Sequence, residues 1–353
     1  MGQKGEGDIK RVLVTGCGGS AGHNFIRSLR LANEDFYIVG TDMNKYHIKL
    51  SRADKNYLVP HYSSHLYLLS LQRIIKREKI DFLHAQPDTE VVRISESRES
   101  LKVRLMLPSK EAIKLAQHKL DCINLLRKKG IPSPYSFGIN SSYDIKSAIK
   151  TLKSEGHKVF WLRAISGAGS RGALPVEDFE TAKVWINYWA KKGLGKGQFM
   201  MSEFLPKKEY AFQSIWKEGS LITSQARQRI EYLFGSRMPS GQSSTPTIAK
   251  TVSNDKVNEI AIAGIKAIDE KPNGIYCVDL KENAQDIPCI TEINAGRFFT
   301  TSIFFSAAGC NMPYYYVKSA FNEYIPPLKL VNPLPKNLYW IRNIDFSEKL
   351  IKE

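Results

Sequence analysis

The sequence predicts an α/β protein that opens on a parallel, doubly wound sheet and continues into two further stretches of mixed strand and helix. Three observations carry this prediction. Residues 11 to 15 (RVLVT), 36 to 42 (FYIVGTD) and 80 to 88 (IDFLHAQPD) are apolar runs of strand length. Two helical periodicities alternate with them, HNFIRSLRLA and HLYLLSLQRIIKREK (65 to 79), and the order βαβαβ means parallel strands. Finally, 353 residues are too many for one ordinary core and suit two or three domains.

The remaining elements follow in order. A helix is expected at Lys110 to Ala116 and another over 119 to 130, closed by Gly130, because the prolines of IPSPYSFG cannot continue it. A first domain over 1–117 is therefore expected. The second, 118–205, has the apolar strand of HKVFWLRAISGAGSRG running into glycines, the helix ETAKVWINYWAKK and the strand QFMMSEFL. The third, 206–353, has strands in EYAFQSIWKEGSLITSQARQRI, the helix DKVNEIAIAGIKAI and a hairpin, GIYCVDLKENAQDIPCITEINAGRF. From Pro326 onward four prolines and weak periodicity give no functional reading.

An apolar fraction of 42% and a charged fraction of 24% are those of a globular protein, and no apolar run is long enough to cross a bilayer. MGQKGEGDIK has no apolar segment of the kind a signal peptide needs. Cys17, Cys122, Cys277, Cys289 and Cys310 are odd in number and scattered, which points to reduced thiols and a cytoplasmic location. The net charge of +16 favours polyanionic ligands. Because the Lys and Arg residues are spread along the chain, nucleic acid is not the expected partner.

Thr15, Gly16, Gly19 and Gly22 satisfy TGxxGxxG, and Asp42 closes the second strand where an acid meets a ribose hydroxyl in dinucleotide-binding folds. A short-chain dehydrogenase or epimerase would also need a Tyr and a Lys four residues apart early in the chain. Tyr314 and Lys318 form such a pair, but they lie far from the turn. The competing reading, which we favour, is a glycine-lined corner where a helix packs close to its sheet.

The chemistry is expected further on. In the predicted hairpin Glu292 and Asn294 project from one face, and a loop centred near Gln285 sets Asp279 opposite Glu292. Two carboxylates and an amide oxygen suit magnesium, which takes one or two carboxylates and leaves its other positions to water and phosphate. Arg297 follows at the strand exit and could contact a transferred phosphoryl group. Arg163 ends an apolar strand before the glycines of Ser166 to Gly172 (Ser166, Gly167, Gly169, Ser170, Arg171, Gly172), whose backbone N–H groups can approach phosphates. Lys119 is a further candidate phosphate cation. Where MMSEFL leaves its strand, the backbone of Phe204 and Leu205 could read an adenine edge, with Glu203 at the exocyclic amine and Glu209 at the ribose. Arg227 and Arg229 alternate along one strand and are candidates to grip a carboxylate or acyl phosphate; a solvated edge is the alternative.

In order and separation, Lys119, LRAISGAGSRG, SEFLPKKEY, VDLKE and TEINAGR resemble the ATP-grasp superfamily. Within it they are most similar to stand-alone proteins like half of the carbamoyl phosphate synthase large subunit, where an Arg also precedes the glycine loop. The resemblance covers roughly Arg11 to Ala320. It implies a Rossmann-like domain preceding a two-lobed α+β ATP-grasp domain, with a lid lobe over 118–205 and a metal and substrate lobe over 206–353. It also implies ATP on Lys119, Arg163, Glu203, Phe204, Leu205 and Glu209, and one or two Mg2+ ions, with Mn2+ as an alternative, on Asp279, Glu292 and Asn294. Since the opening domain of that family seldom holds a dinucleotide, the resemblance also speaks against the dehydrogenase. Two departures stand out. The family's Asn-Pro-Arg is here Asn294, Ala295, Gly296, Arg297, and the proline that commonly follows the basic residue of the glycine loop is missing.

The implied reaction is a ligation, in which ATP phosphorylates a carboxylate and an amine or ammonia displaces the phosphate. Charge neutralisation by magnesium, Lys119, Arg163 and Arg297 would carry the first step. Phosphorylation of bicarbonate or carbamate is the alternative within the class. The expected partners are small-molecule acids and amines, with a homodimer as the default assembly.

Overall fold

Along β1 (Lys10–Thr15) the side chains of Val12 and Val14 enter one apolar core while Leu13 enters another. Such a strand is buried on both faces, as parallel sheets require. The computed structural model, which describes residues 9–167, 172–195, 197–243, 245–343 and 349–352, builds the first sheet around it. The chain continues through α1 (Ser20–Arg30), β2 (Phe36–Asp42), β3 (Lys55–Leu58), α2 (Leu66–Arg77), β4 (Phe82–His84) and α3 (Asp88–Glu96). The strands pair in parallel in the order β3-β2-β1-β4. The edge strand β3 and the helix α3 add to the expected βαβαβ.

Helices α4 (Lys110–Gln117) and α5 (Lys119–Lys128) lead to the second sheet. It is formed by β5 (Ser136–Ile139), α6 (Ser142–Ser154), β6 (Phe160–Ala164), β7 (Leu174–Val176), α7 (Phe179–Lys191) and β8 (Phe199–Glu203). Its strands are antiparallel, in the order β5-β8-β6-β7. Ile149, Leu152, Phe160, Leu162, Phe199 and Met201 give this unit a core of its own. A capping box between Ser141 and Asp144 starts α6.

The third sheet contains β9 (Glu209–Lys217), β10 (Ser220–Tyr232) and β11 (Pro246–Val252), then α8 (Asp255–Ile268), β12 (Gly274–Glu282) and β13 (Pro288–Ala295). Beyond α9 (Ser302–Ala307) and α10 (Met312–Ala320), β14 (Leu338–Ile341) and β15 (Lys349–Lys352) extend the order to β13-β12-β9-β10-β11-β14-β15. The proline-rich end of the chain thus supplies the edge of the largest sheet. This sheet shares its cores with the parallel one: Leu13 and Val39 pack in the same cluster as Phe212, Trp216 and Tyr276, and Val12 and Phe25 with Ala211, Ile275 and Cys277. All five cysteines are buried and unpaired. Among the described residues no helix is long and apolar enough to cross a membrane.

Candidate active site

The site grows out of strand alternation on the large sheet. On β12, Ile275 and Cys277 lie in a core, and the next two side chains on that face, Asp279 and Lys281, enter a cavity of about 640 Å³. The register fixes their neighbours. Arg229, Glu209 and Lys281 form one row across β10, β9 and β12; Arg227, Ala211, Asp279 and Glu292 form the next, reaching β13. The expected pairing of Asp279 with Glu292 is present, and Asn294 follows on the same face beside Cys277.

Small Ala211 leaves room for diagonal contact, and Arg229 donates from Nη2 to Asp279 Oδ1. Burial acts against the Arg229 charge, but Asp279 outweighs it and holds this arginine above its usual range. Burial pushes the Asp279 carboxyl upward, with Arg229 opposing and Glu292 adding to the rise. Arg227 differs from its neighbour. It is 1% exposed, its guanidinium stands 5.1 Å from the Phe299 ring, and its Nε and Nη1 have no hydrogen-bond partner among the described residues. Burial and the nearby Arg229 lower its pKa to about 9. Buried N–H donors of this kind are uncommon in folded proteins.

Opposite these rows stand cations from the α5 and β6 region. Lys119 Nζ donates to the Gly167 carbonyl (2.7 Å) and lies 3.5 Å from Glu292. Arg163 donates to the Thr291 carbonyl (2.7 Å), and burial lowers its pKa. At the end of β8 the backbone of Phe204 and Leu205 leaves the ladder at the cavity wall. Glu203 lines the wall too, but its Oε1 accepts from the Tyr135 N–H (2.9 Å) and its Oε2 lies 3.4 Å from His157. Glu209 is held by Lys281 (2.7 Å), Tyr232 and Gln242. Burial would raise its pKa, yet Lys281, Tyr232 and Arg229 bring it below the usual range.

Asn294 presents its Oδ1 to Arg297 Nη2 (2.6 Å), and Arg297 also donates from Nε to Asp88. Gly296 makes this possible. Its φ of +95° turns the chain after β13, and a Cβ there would come within 2.8 Å of Val91.

Of the residues singled out from the sequence, thirteen line this cavity: Lys119, Arg163, Gly167, Glu203, Phe204, Leu205, Glu209, Arg227, Arg229, Asp279, Glu292, Asn294 and Arg297. Ser166 and Gly172 do not. Ser166 is exposed, and Gly172 is a packing corner whose carbonyl accepts from Trp185 Nε1 (3.0 Å). Gly169, Ser170 and Arg171 lie outside the described residues. Among those residues no three His, Cys, Asp or Glu side chains gather as a metal site. The set Asp279, Glu292 and Asn294 has two carboxylates and an amide. Its all-oxygen chemistry, with the Glu292 charge acting against ionisation of Asp279, fits a hard divalent cation.

Sequence reasoning missed Asp88, Lys281 and the opening turn as parts of this wall. Lys281 stands two residues after Asp279, so alternation alone could have found it. Asp88 follows the carboxyl end of a parallel strand, where open α/β sheets bind ligands. In the opening turn Asp42 is committed to structure, accepting from the N–H groups of Gly18 (3.1 Å) and Asn44 (2.8 Å). Tyr314 instead donates to Glu34 (3.1 Å). Gly16, Gly19 and Gly22 nevertheless face the cavity.

This arrangement is the ATP-grasp fold, with a Rossmann-like sheet ahead of it. The particular solved structures it is similar to include the biotin carboxylase domain of 2-oxoglutarate carboxylase from Hydrogenobacter thermophilus, in complex with MgADP, ADP and bicarbonate. That likeness has a TM-score of 0.71 at 15% identity and covers 94% of this chain and 73% of that one. Carboxyaminoimidazole ribonucleotide synthase from Aspergillus clavatus, complexed with ATP, matches at a TM-score of 0.68 and 17% identity, over 94% and 81% of the two chains. An L-amino acid ligase from Bacillus licheniformis matches at 0.66 and 10%, over 94% and 78%. No family model matches the sequence, and no curated protein does.

Proposed function

We propose that the protein is an ATP-dependent, ADP-forming carboxylate–amine ligase. The observation that carries this reading is the cross-strand row in which Asp279 and Glu292 face each other beside the unpartnered Arg227, with Lys119 and Arg163 opposite. A carboxylate oxygen of the acid attacks the γ-phosphorus of ATP, the bond to the bridging oxygen breaks, and ADP leaves. An amine or ammonia then attacks the acyl carbon, expels inorganic phosphate and loses a proton.

The residues divide this work between them. Arg227 orients the acid through its free Nε and Nη1. Lys119 and Arg163 meet the phosphates, Glu209 and the backbone at Phe204 and Leu205 hold the nucleoside, and Arg297, steadied by Asp88, stabilises charge on the phosphoryl group. Arg229 positions Asp279 rather than gripping substrate. Magnesium on Asp279, Glu292 and Asn294 would neutralise the phosphate oxygens. The small sheet, with its own core, is the lid that closes over ATP. The like-folded enzymes crystallised with ADP, ATP or bicarbonate support this reading. ADP release assayed against a panel of acids, with amines, ammonia or bicarbonate supplied, tests it. Release that needs an acid and an amine together is the expected result; release with bicarbonate alone would favour the carbamoyl phosphate-type reaction, and no release would overturn both.

A further inference from the structure

Two cations of one strand lie over a single aromatic ring. Arg227 and Arg229 alternate along β10 and share a face, and the centroid of the Phe299 ring is 5.1 Å from the first guanidinium and 5.6 Å from the second. Both distances fall within the roughly 6 Å over which an aromatic face attracts a cation. The two guanidiniums differ in what else holds them. Arg229 is fastened to Asp279 by a charge-assisted hydrogen bond, whereas Nε and Nη1 of Arg227 have no hydrogen-bond partner among the described residues. After burial, the charge of Arg229 is the largest influence lowering the pKa of Arg227. With Arg229 tied to Asp279, it is Arg227 that this repulsion would turn aside.

Phe299 supplies the restraint. The face of an aromatic ring carries negative partial charge, so it attracts a guanidinium without taking up its N–H groups. A carboxylate in the same place would consume those donors and neutralise the charge. The ring is in turn held from both sides by the first sheet and its helix. Phe299 is 6% exposed. The carbonyl of Phe298 before it accepts from Gln86 Nε2 (2.9 Å), and the carbonyl of Thr300 after it accepts from Asn24 Nδ2 (2.6 Å). Phe298 packs its own ring against Phe25 and Tyr316. Phe299 and both arginines line the cavity.

We infer that Phe299 is a positioning residue for the acid: its ring aims Arg227 into the cavity and keeps Nε and Nη1 available to the substrate carboxylate. This rests on the ligase reading, in which Arg227 receives the acid, and adds the group that makes the receptor rigid. Because Phe299 acts through Arg227, its loss is felt in acid binding and not in phosphoryl transfer.

Phe299→Leu keeps an apolar side chain and removes the ring, and Phe299→Tyr keeps the ring. ADP release is measured against a panel of acids with ammonia supplied, and MgATP binding by calorimetry. With the acid the wild type uses best, Phe299→Leu is expected to raise KM roughly tenfold while kcat and MgATP affinity stay within about twofold, and Phe299→Tyr to keep the wild-type KM. In the Arg227→Met background, Phe299→Leu is expected to leave kcat/KM for the acid unchanged, since its effect passes through the guanidinium. Phe299→Met takes the place of Phe299→Leu should that variant not fold. The inference is overturned, and the ligase reading left standing, by an unchanged KM in Phe299→Leu, by a Phe299→Tyr as impaired as Phe299→Leu, or by a loss that persists in the Arg227→Met background. Equal losses in kcat and MgATP affinity would reduce the ring to a packing role and overturn it too. A second readout needs no turnover. Sulfate is expected to raise the melting temperature partly through Arg227, the part that Arg227→Met removes, and Phe299→Leu to need roughly ten times more sulfate for half of that part. A wild type that releases no ADP with any acid overturns the ligase reading, while the sulfate shift, present or absent, still decides the role of Phe299.

Discussion

Arg297 donates from Nε to the carboxylate of Asp88, joining two residues 209 positions apart and tying the end of β13 to the start of α3. The same guanidinium reaches Asn294, so the parallel sheet holds a residue of the proposed phosphoryl site in its working direction. Asp88→Asn is expected to cost about 1–3 kcal/mol of stability, since it weakens a charge-assisted hydrogen bond at a half-buried position. It should also lower kcat more than it raises the KM for ATP. Urea unfolding and steady-state ADP release measure the two effects; unchanged kcat would mean that the contact serves folding alone.

Among the described residues the ionic partner of Glu292 is Lys119, at 3.5 Å, so its carboxylate contributes little to the fold. Glu292→Gln is expected to stay within about 1 kcal/mol of the wild type in stability. It should lower ADP formation by roughly a hundredfold or more. Calorimetric titration with MgATP, and with ATP in the presence of a chelator, checks whether the loss lies in metal-dependent binding.

Arg227 makes the opposite kind of prediction. Replacing a buried, unpartnered cation by an apolar side chain of similar length removes a desolvation penalty. Arg227→Met is therefore expected to be as stable as the wild type or more stable, by about 1 kcal/mol or more, while the KM for the acid rises steeply. A destabilised Arg227→Met with unchanged acid KM would sink the assignment of this residue as the carboxylate receptor.

Glu78, at the C-terminal end of α2, accepts from Tyr57, from Lys55 (2.9 Å) and from Tyr37 (3.3 Å) on the strands of the first sheet. Those donors, Tyr57 foremost, bring its pKa down from 4.5 to about 2. Because the folded value is the lower one, its contribution to stability is complete above pH 4.5 and is lost as the pH falls toward 2. Glu78→Gln is expected to flatten the fall of the urea midpoint in that window. An unchanged slope would show that other carboxylates govern acid unfolding.

Elements with strong local signals were legible in the sequence. The run FYIVGTD became β2 and DKVNEIAIAGIKAI became α8 residue for residue, and the hairpin register followed from turn length and alternation. Weaker signals were lost. KNYL is a four-residue edge strand with an intermediate burial pattern, and DTEVVRISE starts at Asp88, inside the expected strand 80 to 88, of which only Phe82–His84 is strand. What no local pattern contains is pairing at long range. Arg229 looked like a substrate group until Asp279 was found against it, and Asp88 had no visible partner until the chain was folded. The glycine turn was read as a corner, which it is, but the corner faces inward to the same cavity.

An interior guanidinium with two unsatisfied N–H groups gives any anion that reaches it a share in holding the chain folded. Melting temperatures measured in chloride, sulfate and phosphate buffers should then differ, because each salt competes for Arg227 to a different degree.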